Sequence, residues 1–182
     1  PCAGLSNQIT ALLLSLLPLF VVAQSVPEPV SFREVLDLQV RQPDAVVRYG
    51  ELEQQVGELW LPEQTTNGVV VFVHGGCWQN AYDVAHTRAL ADRLSAHGMT
   101  VWSLEYRRLG DPGGGLPGTF DDIETATESL RLLHGHGVST DKVIIAGHSA
   151  GGHLALRVDR HAEGGAKRRR VGVDGERNLE LV

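Results

Sequence analysis

Two short runs in this chain are apolar on both faces: Val69-Val70-Val71-Phe72-Val73 and Val143-Ile144-Ile145. Successive side chains of a strand point to opposite sides of its sheet, so such runs fit only where both sides are covered. Segments of a different period lie between them. Ala85–His97 sets Ala89, Leu90 and Leu94 at helical spacing and stops at Gly98, a residue suited to the turn beyond a helix. Thr100–Tyr106 returns to a strand-like pattern. Thr119 is placed to cap a further helix, with Asp121, Asp122 and Glu124 near the positive end of its dipole. The inner face of that helix is Phe120, Ile123, Ala126, Leu130 and Leu133, and Gly147–Gly152 leads into another helix after the second apolar run. Strands alternating with helices in this way predict an α/β fold, a three-layer sandwich around a mostly parallel sheet.

The ends of the chain read differently from its middle. Ile9–Ala23 is apolar, uncharged and broken by Pro18, too short for a comfortable bilayer span of about 20 residues. Val21 and Ala23 stand at −3 and −1 before Gln24, as signal peptidase requires. Residues 1–23 are therefore expected to be a signal peptide cleaved after Ala23, making the protein secreted or periplasmic with no stable membrane span. Residues 24–44 read as a proline-containing linker with a weak helical stretch at Phe32–Val40, and Ala45–Leu61 as two strands turning at Gly50. The body of the domain is expected over residues 45–156. Beyond it, 157–182 hold 7 of the 16 Lys and Arg but only 5 of the 22 Asp and Glu, without a sustained apolar period. An irregular tail, possible product of a shifted reading frame, is the expectation there. The formal net charge of −6 gives no sign of a nucleic-acid partner, and Lys167-Arg168-Arg169-Arg170 reads as a solvated basic run.

Two motifs carry chemistry. Gly147-His148-Ser149-Ala150-Gly151 has the G-x-S-x-G pattern after a strand and before a helix, the context of a nucleophile elbow. A tight turn there lifts the serine hydroxyl clear of the sheet, and the helix start behind it offers N–H groups and partial positive charge to a developing oxyanion. His74-Gly75-Gly76-Cys77-Trp78 follows the first apolar run directly. Its glycines let backbone N–H groups approach a carbonyl oxygen, as in the second half of an oxyanion hole. Ser149 is thus the candidate nucleophile. His74 is read as a ring that shapes its loop, Trp78 as a pocket wall or packing residue, and Cys77 as inert. Gly113–Gly115 lacks a phosphate-loop pattern, and the eight histidines show no metal-ligand spacing, so no metal and no cofactor is expected.

The pairing of HGGCW with GHSAGGHLAL, with Glu105-Tyr106-Arg107-Arg108 and Gly113–Asp122 between them, resembles the kynurenine formamidase-like and carboxylesterase group of the α/β-hydrolases over roughly Tyr49 to Leu156. The resemblance implies an oxyanion hole of Gly75, Gly76 and Ala150, and a structural ion pair at Glu105–Arg107. It also implies a substrate that is a small ester or amide, with an esterase favoured over a formamidase if the chain is exported. A prolyl-oligopeptidase-type peptidase shares the elbow but usually carries a large extra domain.

That family places its acid and histidine on later strand ends. If the helix after Ser149 continued, His161 would lie about 18 Å away at 1.5 Å per residue, out of hydrogen-bond reach. Asp159 and His161 also stand too close together to occupy two strand ends. The sequence therefore predicts a fold truncated after the nucleophile helix, an open apolar edge on the nucleophile strand, and a chain that is inactive or a non-catalytic binding fragment as it stands.

Overall fold

A computed structural model describes residues 28–64, 68–158 and 167–173. The signal-peptide expectation falls outside them. Six strands form one sheet: β1 (Ala45–Arg48), β2 (Val56–Trp60), β3 (Val69–Val73), β4 (Thr100–Leu104), β5 (Lys142–His148) and β6 (Lys167–Val173), in the order β1-β2-β4-β3-β5-β6. The β1–β2 and β2–β4 pairs are antiparallel, and β4–β3, β3–β5 and β5–β6 are parallel. The helices are α1 (Phe32–Leu36), α2 (Arg88–Ala96), α3 (Gly118–Glu128) and α4 (Ala150–Arg157).

Both faces of the central strands are covered, as their apolar runs require. Val69, Val71 and Val73 of β3, with Val143 and Ile145 of β5, pack on Ile123 and Ala126 of α3 and Leu154 and Ala155 of α4. Phe72, on the other side, joins Trp60, Val101 and Ala91 of α2. This is the expected α/β sandwich. Its smaller layer is thin: Ile144 is part-exposed there, because α2 spans only nine residues.

Three details depart from the sequence reading. Thr119 does not cap α3. Pro117 occupies the N-cap, and the Thr119 hydroxyl instead donates to the Arg107 carbonyl (2.5 Å) and accepts from the Gly115 amide (3.0 Å), so it closes the glycine loop. The segment read as a linker is fastened to the domain. Arg41 bonds Asp92, Asp44, the Ser95 hydroxyl and the Leu61 carbonyl, and lies over the Trp60 ring at 5.2 Å. The expectation of irregular chain through 157–182 fails at Lys167–Val173, where β6 pairs with the whole length of β5. Strand pairing is made by backbone groups, so a basic sequence with no apolar period can still fill a ladder that β5 offers. The β5 edge expected to lie open is thereby occupied. Among the described residues no helix is long and apolar enough to cross a membrane.

Register fixes where the chemistry-bearing residues meet. Val73 pairs with both Leu104 and Gly147, so His74, Glu105 and His148 stand at one level, at the carboxyl ends of three adjacent strands. In parallel α/β sheets this edge is where ligands bind.

Candidate active site

Ser149 sits between β5 and α4 with φ 54° and ψ −121°, a left-handed conformation that a side chain adopts at a cost of about 1–3 kcal/mol. The turn is held by its glycines. A Cβ on Gly147 would overlap Gly151 across the bend, and one on Gly151 would overlap the Val73 and His74 carbonyl oxygens. Helix α4 therefore starts against the end of β3, with Ala150 buried and Ser149 exposed at its head. The helix dipole and the free first-turn amides point toward this serine.

The second loop lies directly beside it. A Cβ built on Gly75 would stand 3.1 Å from Cβ of Ser149, 3.1 Å from Nδ1 of His148 and 2.7 Å from the His148 carbonyl oxygen. Only glycine permits that approach. Gly76 takes φ 113°, and Cys77 and Trp78 follow at 52° and 59°, so three successive residues turn left-handed. The loop is closed by Gln79 N–H to the Gly76 carbonyl (2.9 Å) and pinned by Leu109 N–H to the Trp78 carbonyl (2.7 Å). Gly75, Gly76, Ser149 and Ala150, named from sequence, are thus brought together. Trp78 is half-buried against the core, edge-on to His153 with ring centroids 5.8 Å apart.

Beneath the loop lies a polar hub that the sequence did not reveal. His74 is fully buried, stacked on Tyr106 at 4.4 Å, with Nδ1 2.7 Å from the Gly75 carbonyl and Nε2 3.1 Å from Oε1 of Glu105. Glu105 also accepts from the amides of Tyr106 and Val84, each at 2.9 Å, and meets Arg108 at 3.3 Å. The Tyr106 hydroxyl donates to the His74 carbonyl (2.7 Å) and the Tyr49 hydroxyl to the Glu105 carbonyl (2.6 Å). Burial pushes both phenols above their ordinary range, so they stay donors at any ordinary pH. The structural pairing expected at Glu105–Arg107 is two pairs. Glu105 meets Arg108, while Arg107 turns away to Asp122, which is fully buried. His74 holds its loop in shape, in agreement with its reading from sequence.

Among the described residues no side chain hydrogen-bonds the Ser149 hydroxyl. No group of three or more His, Cys, Asp or Glu side chains is placed to hold a metal ion there either. His153 is engaged with the Trp78 and Phe120 rings.

The BD-FAE family model matches residues 58–163. A kynurenine formamidase of Aspergillus versicolor is 28% identical over 118 residues, 59% of this chain and 37% of its own length. The crystal structure of a candidate thioesterase from Silicibacter sp. TM1040 superposes with a TM-score of 0.56 at 31% identity, covering 76% of this chain and 50% of the other. The esterase Est2 of Thermogutta terrifontis shares the fold with a TM-score of 0.55 at 22% identity, over 66% of this chain and 48% of its own. The chain thus spans about half of these solved structures and a smaller share of the curated relative. The fold is that of the α/β-hydrolases, and the relatives are hydrolases of that type.

Proposed function

This chain belongs to the BD-FAE family, and from that premise we propose that it carries the nucleophile and oxyanion-binding portion of a serine hydrolase acting on a small carboxylic ester or aryl formamide. Ser149 attacks the carbonyl carbon, and the amides of the Gly75–Gly76 loop and of Ala150 receive the oxyanion. The observation that carries the reading is the meeting of two turns: an exposed serine at φ 54° and a glycine whose backbone lies in contact with it. A serine in an ordinary turn has no need of that conformation, nor of a neighbour that only glycine satisfies. The relatives divide between ester and amide cleavage, and the same oxyanion pocket serves both.

Among the described residues no histidine is hydrogen-bonded to the Ser149 hydroxyl to carry its proton. His148 neighbours the serine in sequence but makes no hydrogen bond to it, and His153 is held by aromatic rings. Losing one member of a triad removes up to roughly a factor of 10⁶ in turnover. The 182-residue chain is therefore expected to hydrolyse p-nitrophenyl acetate no faster than its Ser149→Ala variant. Initial rates at 405 nm for the two proteins test this. Robust hydrolysis that disappears in Ser149→Ala would show that an acid and a base are present within the chain, and would overturn the inactive reading in favour of a complete enzyme.

A further inference from the structure

We propose that His74 is a buried imidazolium, and that its charge strengthens the Gly76 N–H as an oxyanion donor. The argument is a census of donors and acceptors. Every other polar contact of the Glu105 carboxylate is a donor: the Val84 and Tyr106 amides and the Arg108 guanidinium. The carboxylate is therefore ionised and acts only as an acceptor. The proton between Oε1 of Glu105 and Nε2 of His74 then belongs to the histidine. On the other side of the ring, Nδ1 faces the Gly75 carbonyl oxygen at 2.7 Å, again an acceptor only. Both ring nitrogens must donate, and an imidazole with two N–H groups is a cation.

The surroundings fit a cation that water does not reach. The Tyr106 ring is stacked on it at 4.4 Å, offering its negative face. The charged and titratable groups facing the ring are Glu105 and Tyr106 from the end of β4, Arg108 just beyond, and His86 from the 3-10 turn Val84–Thr87, edge-on at 5.4 Å. Burial, and after it the charge of His74, hold the His86 imidazole below its ordinary value. Arg108 is shared between Glu105, Asp111 and the Tyr82 carbonyl, so the Glu105 carboxylate serves His74 as a counter-ion as well.

The consequence reaches the site through one peptide group. The Gly75 carbonyl that accepts from His74 and the Gly76 N–H belong to the same peptide unit. A charged donor on that carbonyl draws electron density from the amide nitrogen, and hydrogen bonds in series reinforce one another in a dry interior. His74 is thus a positioning residue that also polarises its loop. The assignment of Gly76 to the oxyanion hole rests on the hydrolase reading; the charge on His74 does not.

The experiment is a long-range proton–nitrogen spectrum of the full chain labelled with ¹⁵N-histidine. It is recorded about one pH unit above the ordinary histidine value of ~6.5, with His74 identified by its contacts to the Tyr106 ring. The expected result is two protonated ring nitrogens on His74. In Glu105→Gln one of them loses its proton, and the Gly76 amide proton moves to higher field. A wild-type spectrum with one unprotonated His74 nitrogen overturns the proposal, and that spectrum decides the matter even if Glu105→Gln fails to fold. A charged His74 in a protein whose Ser149 shows no anion-binding surroundings upholds the imidazolium and defeats only the hydrolase reading.

Discussion

Gly151→Ala is expected to destabilise the domain by at least about 3 kcal/mol, a large part of the roughly 5–15 kcal/mol that holds a domain of this kind folded. The added Cβ would overlap two backbone oxygens, those of Val73 and His74, and neither belongs to a flexible side chain that can swing aside. Relief requires α4 to lift from the end of β3, which separates the two turns of the site and opens the contact of Leu154 and Ala155 with the core. Urea denaturation of the variant against wild type reads the loss as a lower midpoint at unchanged slope. Gly135→Ala serves as the control. No atom lies within 4 Å of a Cβ there, and its backbone is not left-handed, so its midpoint should hardly move. Equal midpoints for Gly151→Ala and Gly135→Ala would mean that α4 does not start against β3.

Asp122→Ala comes next, with an expected loss of about 3–5 kcal/mol, the usual cost of removing one partner from a buried ion pair. Asp122 is fully buried and accepts the backbone amide of Arg107 (2.8 Å), its Nε (2.9 Å) and its second guanidinium nitrogen (2.6 Å), besides Nε2 of Gln55 (2.7 Å). Removing the carboxylate leaves a largely buried guanidinium without its counter-charge and a backbone N–H without an acceptor. It also frees the loop that Arg107 ties through the Gly113 and Gly118 carbonyls. The double variant with Arg107→Ala should lose clearly less than the sum of the two single losses, since each single change already breaks the same pair. Additive losses in the denaturation cycle would contradict a shared interaction.

Much of this architecture was legible because the signals were periodic or steric. The strands β3 and β5 followed from runs with no polar face, and α2 ended at its glycine, which takes φ 85°. The elbow was readable because G-x-S-x-G needs a small residue on each side of a sharp bend, and Gly147 and Gly151 stand where larger residues would overlap. What stayed hidden depends on partners distant in sequence. Asp122 looked like a first-turn acid favourable to the helix dipole; only the fold brings Arg107 to it. By its sequence Glu105 reads as half of a local pair, whereas its carboxylate gathers His74, Val84, Tyr106 and Arg108 from three segments. Thr119 had the chemistry of a cap but spends its hydroxyl on Arg107 and Gly115. The strand β6 was missed for a different reason: pairing to an available ladder uses main-chain groups, which no side-chain pattern records.

The claim on which the account depends is that the two turns form a pocket that stabilises negative charge at residue 149. The direct measurement is the titration of a thiol placed there, in Ser149→Cys on a Cys2→Ser, Cys77→Ser background so that a single thiol is followed. It is read from the pH dependence of alkylation by iodoacetamide. A thiol at a helix N-terminus beside further backbone donors titrates below about 7.5, against about 8.5 for a free one. The account predicts the lower value. A thiol that titrates at or above about 8.5, in a variant that keeps the wild-type denaturation midpoint, would show that no such pocket exists and would contradict the hydrolase assignment of the site.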